Sequence, residues 1–351
     1  MNYTGLDVHK EFIYASTVDE EGNKVSEKKF LNSIHALDYF LEKQEKETSF
    51  VLEACGMYEP IYDRLEEQGY GVTLAHPLKT KAIASAKIKT DAIDAETLAQ
   101  LLRANLIPKS HVPDKTTREL RSLVRRRASL VRQRSHLKHQ VHSILLKHGL
   151  KAPVTDIFGK RGKDWLTKLA LPHAERFALD SILSIINAFD EQLHLSETTI
   201  DAVAGKIKPV KLLTTIPGIG NYSALLAYAD IDDIKRFPTA KKLASYAGMV
   251  PSTYQSGSTN RNGPITKNGS KLLRWVLNQA AHKAVETDPW LNRFYTHLVR
   301  KKGSQKAITA VARKILTYMY IMLTEGIEYD ELYVHRRGKR TTFHCASELG
   351  N

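Results

Sequence analysis

The chain has 351 residues, enough for two or three domains with cores of their own. No apolar run reaches the roughly 18 residues of a membrane-spanning helix, and the two cysteines, Cys55 and Cys345, make neither a disulfide framework nor a zinc-ligand spacing. A formal net charge of +14, from 52 Lys and Arg against 38 Asp and Glu, points instead to a polyanionic partner.

The charge is segregated. Residues 1–110 carry 13 basic against 18 acidic side chains, residues 111–160 carry 12 against 3, and residues 206–351 carry 23 against 10. An acidic N-terminal part joined to a basic body suits an enzyme whose acids hold metal while the rest grips phosphates. The opening MNYTGLDVHK enters a strand pattern directly, which leaves no room for a signal peptide and makes the reducing cytoplasm the expected location.

In chain order, residues 2–8 and 11–18 read as strands joined tightly at His9 and Lys10, and the turn at 20–23 leads into a third strand over 24–30. Residues 34–45 have helical spacing, 49–54 form a short apolar run of the buried-strand type, 59–68 are helical, and 70–75 form a further strand. The stretch 89–102, KTDAIDAETLAQLL, predicts an amphipathic helix with Thr90 as its N-cap and Asp91 and Asp94 on one face of its first turn. This order predicts an α/β domain with a mixed sheet over residues 1–112, in the ribonuclease-H-like arrangement.

Beyond residue 112 the composition changes. Residues 115–148 have apolar side chains at helical spacing and few acids, which predicts a helix over 30 residues long and a coiled-coil or hairpin arm over 113–208, with 172–204 as the returning helix. Arg125, Arg126 and Arg127 on that arm are expected to contact nucleic acid. In KLLTTIPGIGNYSALLAY, residues 211–228, the turn holding Gly218 and Gly220 resembles a helix-hairpin-helix module, whose glycine turn offers backbone N–H groups to a DNA phosphate. Residues 240–248 are helical, 250–270 are expected to be irregular, and helices follow over 271–285, 289–300 and 304–324. The third domain thus spans 209–325 and is mainly helical, and 326–351 is a polar, basic tail.

Four acids carry the chemistry. Asp7 stands in an apolar strand, where a carboxylate is costly unless something compensates it. Glu53 ends the central apolar run, whose strand is expected beside the first, and the helix bearing Asp91 and Asp94 could lie across both. Oxygen ligands in this number suit Mg2+ or Mn2+, and two such ions can clamp the attacking and leaving oxygens of a phosphoryl transfer. A phosphate-binding kinase of the actin-like class begins with similar strands, but GLDVHK and EACGMYE are too poor in glycine for its phosphate loops. The irregular stretch supplies candidate hydroxyl nucleophiles at Ser252, Thr253, Tyr254, Ser256, Ser258 and Thr259, among which chemistry alone does not choose, with Arg261 and Lys267 able to stabilise developing charge.

Asp7 in GLDVHK, Glu53 in LEACGMYEP, KTDAIDAETLA, IPGIG and YAGMVPSTYQSGSTNRNGPITKNGSKLLRW stand in one order along nearly the whole chain. Together they resemble the DEDD-type insertion-sequence transposases that act as bridge-RNA-guided serine recombinases. The resemblance implies that Asp7, Glu53, Asp91 and Asp94 are the metal-binding quartet of a RuvC-like domain, and that Ser256 is the nucleophile that becomes linked to DNA. It further implies a homo-oligomer, a dimer or a tetramer in the synaptic complex, with composite sites acting on donor and target DNA. A structured bridge RNA would choose both DNAs by pairing, and the protein would be cytoplasmic and nucleoid-associated. Residues 149–171 look inserted relative to that family. The rival readings are a RuvC-like nuclease of the Holliday-junction resolvase type, with water as nucleophile, and a non-catalytic basic nucleic-acid-binding protein.

Overall fold

A computed structural model describes residues 1–84, 90–256 and 259–332, in two compact units that meet in sequence at Pro113 and Asp114. In the first unit, β1 (Tyr3–Val8), β2 (Phe12–Val18) and β3 (Lys24–Leu31) form an antiparallel meander. α1 (Ile34–Leu41), β4 (Ser49–Glu53), α2 (Tyr58–Glu67) and β5 (Gly71–Ala75) follow, then α3 (Pro77–Ile83) and α4 (Asp91–Arg103). The strand order is β3-β2-β1-β4-β5, with β4 parallel to both β1 and β5. The mixed five-stranded sheet with helices on both faces is compatible with a ribonuclease-H-like domain.

Strand alternation decides what each face of this sheet does. Leu6, Phe50, Leu52 and Leu74 point to one side, where they are buried with Leu37, Phe40 and Leu41 of α1 and Ile61 and Leu65 of α2. Val51 points to the other side and packs with Leu98 and Leu101 of α4. Gly5, Asp7 and Glu53 share the parity of that second face. α3 was not expected from the sequence. Pro77, at the helix's first position, supplies the φ a helix start needs and lacks an N–H that would otherwise go unbonded, so a helix begins directly after β5 with no polar linker to announce it.

In the second unit α5 (Lys115–Lys147) and α7 (His173–Ala204) flank α6 (Lys160–Thr167). α5 and α7 run antiparallel, because Lys147 pairs with Glu175, Arg134 with Asp190 and Arg127 with Glu197. Asp114 caps α5 through a bond from the Thr117 amide. Val141, Leu145, Leu166, Leu179 and Ile186 form a separate small core where α5, α6 and α7 meet.

α8 (Lys208–Thr214), α9 (Asn221–Ile231) and α10 (Ala240–Tyr246) lead to α11 (Lys271–Thr287), α12 (Pro289–Lys302) and α13 (Ser304–Glu325) through β6 (Pro251–Ser256) and β7 (Thr259–Ile265). The helices share one core that includes Leu213, Ile216, Leu225, Leu277, Val311 and Ile315. β6 and β7 pair antiparallel, which corrects the expectation of an irregular stretch over 250–270. The hairpin eluded the sequence reading because the residues of β6 are all exposed, so no hydrophobic alternation marks the strand.

Candidate active site

Gly5 makes the site in the first unit possible. A methyl group there would stand 2.8 Å from the Ala99 amide nitrogen and 3.0 Å from Leu98 Cβ, and closer still to the Ala95 carbonyl oxygen. The bare glycine lets the backbone of α4 lie directly on β1. One turn before Ala95 and Leu98 on that helix are Asp91 and Asp94, and two residues beyond Gly5 on the same strand face is Asp7. The last paired couple of β1 and β4 is Leu6 with Leu52, so Asp7 and Glu53 follow side by side at the C-terminal ends of adjacent parallel strands. Thr90 caps α4, its hydroxyl accepting from the Ile93 amide at 3.3 Å, and this holds the first turn that carries both aspartates.

The acids fall into two groups that share Asp7. On one side His9 Nε2 lies 3.0 Å from Asp7 Oδ2 and 3.2 Å from Asp91 Oδ1, and Asp7, His9 and Asp91 each offer a ligand atom within 4.8 Å of the others. On the other side Asp7, Glu53 and Asp94 line one pocket of about 420 Å3 together with Pro77, Leu78, Thr80 and Lys81 of α3. Burial pushes the Asp7 carboxyl above its ordinary pKa. The hydrogen bond and charge of His9 oppose that rise, while the neighbouring Asp91 and Asp94 add to it. A half-buried acid held among other acids is costly until positive charge reaches it, and the all-oxygen set of Asp7, Glu53, Asp91 and Asp94 has the hard donors that a Mg2+ or Mn2+ ion takes. These residues fit a divalent cation.

His9 is the member of this cluster that the sequence reading left out. Its sequence signal is an Asp-x-His at the C-terminal end of a strand, which adds a nitrogen donor to the carboxylates.

In the second unit Ser256 ends β6, exposed, and pairs across the hairpin with Thr259. Tyr254, 72% exposed, is two residues earlier on the same face and pairs with Arg261, so the guanidinium belongs to the face of Ser256 and sits diagonally from it. Ser252 is taken up inside the hairpin, donating to the Pro264 carbonyl at 3.0 Å. Lys267 follows β7 with φ of +57°, its amide bonded to the Gly248 carbonyl. Ser258 lies outside the described residues.

The remaining expected contact residues are placed as follows. Gly218, at φ +84°, has no room for a Cβ, which would meet the Ala280 carbonyl at 2.7 Å, whereas Gly220 faces open space. Arg126 is exposed. Arg125 lies 3.6 Å from the buried Asp230 carboxylate, and Arg127 bonds Glu197 at 2.7 Å and stacks on Tyr222.

The model of the family described as transposase, of the DEDD type of the IS110 elements, matches residues 4–149, and that described as transposase of the IS116/IS110/IS902 family matches residues 210–296. The chain belongs to the IS110 family of transposases. The transposase for insertion sequence element IS1111A of Coxiella burnetii is 25% identical over 350 residues, covering 93% of this chain and 90% of that protein. A 43.6 kDa protein of insertion element IS110 from Streptomyces coelicolor is 25% identical, with 93% and 95% covered. The pilin gene-inverting protein of Moraxella bovis is 29% identical over 294 residues, covering 80% of this chain and 81% of its own. An IS110-family transposase is an enzyme that cuts and rejoins DNA, and both the Asp7 cluster and Ser256 lie inside the matched segments.

Proposed function

We propose that this IS110-family transposase cuts and rejoins donor and target DNA through a phosphoserine intermediate at Ser256, with divalent-metal assistance from Asp7, Glu53, Asp91 and Asp94. The observation that carries the reading is the convergence of these acids under α4, with Asp7 shared between the His9–Asp91 side and the Glu53–Asp94 pocket. A bound Mg2+ or Mn2+ would supply Lewis-acid stabilisation of charge on the phosphoryl oxygens. Asp7, which belongs to both groups of side chains, would be the central holder of such metal, and Thr90 and Gly5 keep the aspartates of α4 in register with it.

In the covalent step the Ser256 Oγ bonds to phosphorus and the bond to the 3′ oxygen breaks. The proton lost by the serine is balanced by the one the leaving 3′-OH gains. A 3′-OH of the partner strand then reverses the exchange and frees the serine, so no phosphoester energy is lost between cutting and joining. Arg261, on the face of Ser256, and Lys267 serve as cationic partners of the phosphate. The glycine turn at Gly218 and Gly220 acts as a helix-hairpin-helix contact to a DNA phosphate, Gly220 being its open position, and the exposed Arg126 on the α5–α7 coiled-coil arm adds backbone contacts. Arg125 and Arg127 contribute to the same basic surface.

A structured bridge RNA selects the DNAs, which fits a chain rich in phosphate-binding residues with no base-reading motif. The protein works on the nucleoid as a homo-oligomer, a dimer that becomes a tetramer in the synaptic complex, in which acids and serine form composite sites.

The test is to trap reactions on a labelled DNA substrate in denaturant. The wild-type chain should give a covalent protein–DNA adduct that requires Mg2+ or Mn2+, and Ser256→Ala should lose the adduct while retaining DNA and RNA binding. Strand breaks that leave only free protein would move the assignment to a water-using nuclease, and full recombination by Asp7→Asn would end the catalytic reading of the acids.

A further inference from the structure

We infer that His9 is itself a metal ligand, completing an Asp7–His9–Asp91 set that prefers Mn2+ to Mg2+. The inference rests on the metal reading above and adds to it a nitrogen donor outside the four acids.

The geometry has two parts. Adjacent ligands of an octahedral ion with bonds of about 2.1 Å stand roughly 3.0 Å apart, the bond length times the square root of two. The distances of 3.0 and 3.2 Å from His9 Nε2 to Asp7 Oδ2 and Asp91 Oδ1 match that edge on both sides. An N–H in the ring plane points along one direction, so one hydrogen bond accounts for one of these approaches and not for both at full strength. A cation among the three atoms accounts for both.

The second part is how firmly the imidazole is held. The His9 amide donates to the Phe12 carbonyl at 2.9 Å, and the His9 carbonyl accepts from Asn32 Nδ2 at 2.7 Å. The ring stacks on Phe12 with centroids 4.6 Å apart and planes at 27°, and Lys29 Nζ covers the Phe12 ring at 3.7 Å. β2, β3 and the residue after β3 thus all contribute to fixing one partly exposed residue. These contacts hold the residue's backbone and limit the turning of its ring, so less ordering is left to be done when an ion binds.

The consequence is selectivity. Mg2+ is a hard ion that takes oxygen, whereas an imidazole nitrogen favours the transition series, in which Mn2+ also accepts carboxylates. One histidine among acids therefore biases the site without excluding Mg2+.

The experiment uses the full chain loaded with Mn2+. Pulsed EPR is recorded on the unlabelled protein, on protein carrying 15N-histidine, and on His9→Gln, with Mn2+ and Mg2+ affinities measured by calorimetry on the same samples. The inference predicts a 14N coupling to bound Mn2+ that becomes a 15N coupling on labelling and disappears in His9→Gln. The Mn2+-over-Mg2+ preference should fall severalfold in that variant, which has lost the nitrogen donor. Mn2+ that binds wild type without any histidine coupling, or a coupling that persists in His9→Gln, would overturn the ligand assignment and leave the carboxylate site standing. Failure of the wild-type chain to bind Mn2+ at all would overturn both. All 14 histidines carry the label, so the assignment to His9 rests on the variant, and His9→Asn is measured beside His9→Gln as a second replacement in case one folds poorly.

Discussion

Gly5→Ala should disable the transposase without touching an ionisable group. The added methyl would meet the Ala99 nitrogen at 2.8 Å and come closer still to the Ala95 carbonyl, where ordinary contact begins near 3.4 Å. Both are backbone atoms of α4 and cannot swing aside, so the helix has to retreat by about 1 Å, an overpacking that costs about 1–3 kcal/mol. Asp91 and Asp94 ride on the same helix, one turn away, and would leave Asp7 by a similar distance. A displacement of about 1 Å is enough to cost roughly 100-fold in a positioned phosphoryl transfer. The assay pairs thermal melting in chelator with Mn2+ calorimetry and strand-transfer rate, so that loss of metal affinity in still-folded protein is seen directly. A Gly5→Ala chain that binds Mn2+ and transfers strands like wild type would refute the claim that contact between α4 and β1 sets the site.

Other variants probe the parts singly. Asp7→Asn should abolish Mn2+ binding and strand transfer, yet melt at or above the wild-type temperature in chelator. The fold holds the Asp7 carboxyl above its ordinary pKa, so ionisation there destabilises the metal-free protein. The gap should be widest above that raised pKa and close as the pH falls through it, which melting curves across the acid range would show. Thr90→Ala, which removes the cap of α4, should cost about 1 kcal/mol by denaturant titration and weaken Mn2+ binding several-fold. Gly218→Ala must fit a side chain at φ +84° against the Ala280 carbonyl and should destabilise by about 1–3 kcal/mol. Gly220→Ala should leave the melt within about 0.5 kcal/mol and lower DNA affinity measured by anisotropy. Unchanged affinity would count against phosphate binding by that turn.

How much of this was legible in the sequence depends on what each element buries. The sheet and α4 could be read because Leu6, Phe50, Val51 and Leu52 sit in short apolar runs and Leu98 and Leu101 recur at helical spacing. Asp7 was conspicuous for the same reason, a charge where its neighbours are apolar. The hairpin of β6 and β7 could not be read, since the strands pair through their backbones and the exposed Ser, Thr, Tyr and Gln residues of β6 leave no hydrophobic trace. Gly5 passed as an ordinary strand residue, because the helix that needs its missing side chain comes some 90 residues later. His9 passed as turn chemistry. The split of the acids into two groups around Asp7 depends on the depth at which α4 crosses the strands, which no local spacing records.

The central claim is that a serine on the β6–β7 hairpin takes the DNA phosphate under metal control. The direct measurement is mass spectrometry of the covalent complex trapped with Mn2+ present and digested with protease and nuclease. The account predicts a nucleotide phosphate on Ser256, formed only with the divalent ion and absent from Asp7→Asn. A phosphate found on Tyr254 instead, or the same adduct on Ser256 in Asp7→Asn or in chelator, would contradict it.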